Sequence, residues 1–140
     1  MAILNYTTSI DSEKTIGEIQ RCLVKHGASK IVTDFSEGIP SAVTFCLPIN
    51  GVTVGFSLPA NYDGVLQAMK KDRDVPQRLC TKEQALRVSW RIVKDWVEAQ
   101  MAIVDAKLAD VGEVFLPYAI TKSGMTLYRH IQDGGMKLLA

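Results

Sequence analysis

Two arginines one helical turn apart are the residues best placed to do chemistry. Arg87 and Arg91 stand at i and i+4 in a stretch of helical periodicity, so their side chains would be neighbours on one face. Two planar guanidinium forks side by side can hold a phosphate, or a pair of phosphates, through bidentate hydrogen bonds. From spacing alone, a solvated basic stripe paired with Glu83, Asp95 or Glu98 is the commoner outcome. A ligand is favoured by the element that carries the pair. A long helix in an oligomer core would fix both forks, and a ligand bound between subunits needs such a platform.

Aromatic and amide groups supply the second set of candidates. Phe56, in FSLPAN, and Phe115 and Tyr118, in FLPYAI, are candidate stacking platforms. A base on an aromatic face gains roughly 1–3 kcal/mol. Plain core packing is the competing reading for Phe56 and Phe115, and the preferred one for both tryptophans. Asn61 follows a Leu-Pro-Ala turn. Its amide could read a base edge, or serve as an Asx-turn or helix cap.

Catalytic constellations are missing from the sequence. His26 and His130 fit no metal or nucleophile spacing, and Ser57, Ser89 and Ser123 lack a GxSxG elbow. No phosphate-binding glycine loop is present. Asp63 with Asp72, and Asp95 with Glu98, read as solvated or capping carboxylates. No cluster offers four metal ligands. The expectation is a protein that is not an enzyme and uses no metal or cofactor.

The elements that must position these residues are legible from periodicity. Residues 81–108 read as one long helix, opened by Thr81 and Gln84. At about 100° per residue, its apolar positions fill two adjoining sectors, together roughly 200° of the circumference. The first holds Ala85, Val88, Ile92, Trp96, Ala99 and Ile103; the second holds Leu86, Trp90, Val93, Val97, Val104 and Leu108. One buried face needs a stripe of only a little over 100°, so a second copy of the chain is the expected cover for the remainder.

Upstream, residues 2–8 read as a short strand. Thr15 and Glu18 suggest a capping box opening a helix to His26, with Gly27 as its stop. Residues 30–35, 42–47 and 52–58 read as a three-strand meander, with Asn50-Gly51 as a hairpin turn. On the third strand Thr53, Gly55 and Ser57 form a face of small residues, either solvated or approached closely by another group. A helix over 64–70 and a charged, mobile loop over 70–78 follow. Residues 110–112 break or bend the long helix, 126–132 form a last helix, and 134–140 a frayed tail. This order predicts a single α+β domain, an antiparallel β-meander with helices on one face and the long helix at an oligomer interface.

Bulk properties exclude little beyond this. A net charge of +1 gives no global polyanion signature, so any anion site must be local. Cys22, Cys46 and Cys80 match no zinc spacing and read as buried thiols of a reduced, cytosolic protein. No stretch reaches the ~20 apolar residues of a membrane span, and the start lacks a signal-peptide pattern.

The layout resembles the first-described phage anti-Thoeris (Tad) family. The resemblance covers the leading strand and helix, the meander ending in FSLPAN (56–61), the charged loop, RVSWRIVKDWVEAQ (87–100) and FLPYAIT (115–121). It implies a non-catalytic sponge that sequesters cyclic ADP-ribose signals, and in some members cyclic oligonucleotides at a separate site. It also implies homo-oligomers built on dimers, in some members hexamers, in the cytoplasm of the host bacterium. On this likeness Arg87 and Arg91 bind phosphate, Phe56 and Asn61 contact the base, and Gln100 contributes from about 140–180° around the helix. The charged loop aligns with no nameable feature of the family. The alternative is a phage or mobile-element accessory module that binds nucleic acid or a host protein, though a net charge of +1 speaks against nucleic acid.

Overall fold

The structure, a computed structural model, describes residues 3–134. The element order is α1 (Ser12–Lys25), β1 (Ser29–Ser36), β2 (Ile39–Ile49), β3 (Val52–Pro59), α2 (Tyr62–Lys71), a 3-10 turn (Gln77–Leu79), α3 (Lys82–Asp105), α4 (Val111–Phe115), a second 3-10 turn (Leu116–Tyr118) and α5 (Leu127–Gln132). The sheet is antiparallel in the order β1-β2-β3. Helices gather on one face, as the α+β reading predicts.

The hairpin forms where its sequence demands. Asn50 and Gly51 take φ of 52° and 81°, the left-handed pair that a two-residue hairpin turn requires. The turn sets the β2–β3 register from Ile49↔Val52 to Ala42↔Pro59. Alternation then sends Val43, Phe45, Leu47, Phe56 and Leu58 to the helical side, where they join Ile19 and Leu23 of α1 and Trp90, Val97 and Met101 of α3. Phe45 and Phe56, cross-strand partners, stack at 5.5 Å, and Phe115 meets Phe45 edge-on at 5.5 Å.

The wide apolar arc of α3 has an internal explanation over its first half. Ala85 and Val88 pack with Met69 of α2 and with Val75, and Ile3 and Tyr6 close the same cluster. The chain's own α2 and leading segment therefore cover what the sequence assigns to a second copy. Farther along, Ile92 still packs against the α2 cluster, while Trp96 and Ile103 are half-buried and Ala99 is exposed, continuing the stripe at heptad-like spacing.

Four local expectations change. Residues 4–7 form turns and not a strand. Asn5 sits at φ 67°, and the carbonyls of Tyr6 and Thr8 accept from Gln84 Nε2 and not from a neighbouring strand. Helix α1 starts at Ser12, so Thr15 and Glu18 lie inside it, facing α3. The stretch 70–78 is organised by the end of α2, a turn that buries Val75, and a 3-10 turn. Helix α3 stops at Asp105, because Lys107 turns left-handed at φ 61°. Residues 135–140, most of the expected frayed tail, lie outside the described residues.

Trp90 is fully buried, yet its Nε1 has no hydrogen-bond partner among the described residues. The indole is held by packing, against a cost of about 1–3 kcal/mol for the orphaned donor.

Candidate functional site

The arginine pair lies where α3 meets α1 and the leading segment. Gln84 organises it. This side chain is 5% exposed, and its amide nitrogen donates at 2.8 Å to both Tyr6 and Thr8 carbonyls. Its Oε1 accepts from Arg87 Nε at 3.0 Å. The Arg87 guanidinium is thus held by one edge, while its two terminal nitrogens have no partner among the described residues.

Arg91 is committed differently. Its Nη1 donates to Glu18 Oε2 at 2.6 Å and to Thr15 Oγ1 at 3.4 Å. The Arg91 side chain is 13% exposed and that of Glu18 27%. The sequence reading placed Arg91's neutralising acids on its own helix; the acid comes instead from α1. Lys94 completes this face by pairing with Glu98 one turn on.

The remaining candidates do not converge on the pair. Phe56 and Phe115 are 1% and 0% exposed, with their faces used by each other, Phe45 and Trp96. Neither ring can receive a base, and both are removed from the base-contact set. Asn61 caps α2, its Oδ1 accepting from Gly64 N at 3.1 Å, so that amide carbonyl is occupied locally. Tyr118 is half-buried and meets Trp96 edge-on at 5.5 Å. Gln100 is half-buried on α3, well around the helix from both arginines.

The histidine that looked unassigned in the sequence has a local role. His26 Nδ1 lies 2.8 Å from the Cys22 carbonyl, and Nε2 lies 3.0 Å from Asp105 Oδ1. Both contacts are satisfied at once only when both ring nitrogens carry protons. The backbone carbonyl of Cys22 first, and then Asp105, raise the His26 pKa. A raised folded-state pKa means the link stabilises fully below the unfolded value of about 6.5 and loses its contribution as pH rises through the folded value. Asp105→Asn is therefore expected to flatten the fall in urea midpoint above that pH, and an unchanged profile would assign the dependence to another group.

The three cysteines are half-buried, not fully buried. Burial, followed by Glu98 and Asp105, pushes the Cys22 thiol up, which lowers its reactivity. No group of His, Cys, Asp and Glu that could hold a metal ion occurs among the described residues, nor is any helix there long and apolar enough to cross a membrane.

A groove of about 570 Å³, lined by neither arginine, opens between the β2–β3 hairpin and α4. Pro48, Ile49 and Val54 form one wall, Val111 and Leu116 the other, with Asp110 and Glu113 at the rim. These two acids form a capping box at the start of α4. The sequence carries its D-x-x-E signature, and the reading of 110–112 as a simple break missed it.

No protein-family model, curated protein or solved structure matches the chain.

Proposed function

We propose that the chain is a non-catalytic binding protein that sequesters a small anionic signalling nucleotide of the cyclic ADP-ribose type, acting as a homo-oligomer. The observation that carries this reading is Arg87. Its Nε is fixed by a buried glutamine that is itself tied to two backbone carbonyls. The outward edge of the fork is thereby pre-oriented, and pre-orientation reduces the ordering cost of binding. Both contacts of Arg91 run through Nη1, which leaves the rest of that guanidinium to share an anion with Arg87. The half-buried stripe Ile92, Trp96 and Ile103 supports the oligomeric part, because an apolar seam at this spacing suits a second helix. With Phe56 and Phe115 committed to the core, Tyr118 is the remaining aromatic of the original set, and a partner subunit would have to bring it toward the arginines.

The test is a capture assay. Purified protein is mixed with cyclic ADP-ribose, filtered to remove unbound nucleotide, and heat-denatured. A sponge depletes the filtrate and returns the nucleotide intact. Arg87→Ala should lose capture without altering the sedimentation coefficient. Recovery of cleaved product, or full capture by Arg87→Ala, would overturn the reading.

A further inference from the structure

The groove beside α4 adjoins a sheet edge whose main chain is open. Strand β3 is an edge strand. From Val52 onward alternate residues turn their backbone groups toward β2, which leaves Thr53, Gly55 and Ser57 facing outward. Gly55 O is taken by Ile120 N at 2.8 Å, in a short antiparallel bridge between Phe56 and Ala119. The Ile120 side chain lies 3.4 Å from where a Cβ on Gly55 would stand. The chain's own C-terminal segment has thus begun to add a strand, and it stops short of the hairpin. Thr53 is exposed, and its N–H and C=O have no partner among the described residues.

Exposed edges are normally blunted. The opposite edge, β1, follows that rule, with register shifts between Ser29/Val32 and Asp34/Phe35 and Lys30 at φ 51°. Strand β3 pairs with β2 residue for residue and carries no bulge. Its regular edge opens beside an apolar groove that Asp110 and Glu113 line, and among the described residues no cationic side chain lines it. Val52 and Leu116 are 63% and 54% exposed.

We propose that this edge and groove together bind an extended, basic segment of a partner protein by β-strand addition. Main-chain pairing at Thr53 aligns the peptide, and the side chains on its groove-facing side, every second residue, are apolar over Val54 and Leu116 and basic at Asp110 and Glu113. The site lies apart from the arginine pair and does not depend on nucleotide capture.

The probe is a short synthetic peptide with valine and lysine at successive groove-facing positions and threonine between them, titrated into the full chain and followed by amide chemical shifts. Saturable changes are expected at Thr53, Val54, Gly112 and Leu116. Thr53→Pro removes the outward N–H without touching the β2 ladder, where an edge strand tolerates proline. Loss of the edge hydrogen bonds should weaken binding about tenfold while leaving the spectrum folded. Glu113→Gln preserves the capping bond but removes the charge, and should weaken the lysine peptide only at low salt. Equal binding of the same peptide with glutamate in place of lysine, or unchanged affinity in Thr53→Pro, overturns the proposal. So does a concentration-dependent dimer that Thr53→Pro abolishes, which would assign the edge to a second copy.

Discussion

Replacing Phe115 by alanine is expected to lower the unfolding free energy by about 3–5 kcal/mol, a large share of the roughly 5–15 kcal/mol that holds a domain of this size together. Phe115 is fully buried although it lies on a helix of five residues. A helix that short has no independent stability, so the ring holds α4 in place and not the reverse. Its neighbours show why the cost is high. Phe45 and Trp96 approach edge-on at 5.5 and 5.7 Å, and Phe56 lies tilted at 5.9 Å. The cavity would therefore open at a point where β2, β3, α3 and α4 meet, with little slack for collapse. Urea denaturation measures the change. Tyr128→Ala, at a site 59% exposed, serves as the control and should move stability by less than about 0.5 kcal/mol. A Phe115→Ala loss below about 1 kcal/mol would mean that α4 and the turn after it are not docked as described.

How much of this was readable in the sequence divides along a physical line. Elements specified by local chemistry are legible. Asn50-Gly51 dictates its own turn, Thr81 caps α3 through Gln84 N at 3.1 Å, and Thr126 caps α5. Alternation along 52–58 sets Phe56 on the face opposite Thr53, Gly55 and Ser57, but it leaves open whether the ring packs or stacks on a base, and the structure buries it. Features that depend on tertiary partners are not. The N-terminal segment has the apolar alternation of a strand, but its carbonyls are claimed by Gln84 from 76 and 78 residues away. Glu18 looks like part of a capping box because its spacing fits one, and it becomes the partner of Arg91 only once α1 packs on α3. The breadth of the α3 arc was visible. That α2 covers half of it was not, because periodicity counts apolar positions without saying whose side chains bury them.

The arginine pair gives the second large effect, and the two members should separate. Arg87→Ala removes a hydrogen bond from Gln84 Oε1, while Gln84 keeps its bonds to the Tyr6 and Thr8 carbonyls. Stability should fall by no more than about 1 kcal/mol. Capture of cyclic ADP-ribose should fall by ten- to a hundredfold, since a hydrogen bond to a charged group contributes about 1.5–3 kcal/mol. Arg91→Ala should lose capture as well, but it also strips Glu18, only 27% exposed, of its counter-charge. An uncompensated, largely buried carboxylate should cost about 1–3 kcal/mol, and α1 would loosen from α3. The double variant Glu18→Gln/Arg91→Met decides between the roles. It replaces the ion pair with groups of similar shape, so it should recover stability relative to Arg91→Ala while capture stays lost. If the double variant captures nucleotide normally, the Arg91–Glu18 pair is a helix-to-helix tie and nothing more. If Arg87→Ala alone also captures normally, the nucleotide proposal falls with it. If Arg87→Ala fails and the double variant succeeds, the anion is held by Arg87 alone, on the edge that Gln84 presents.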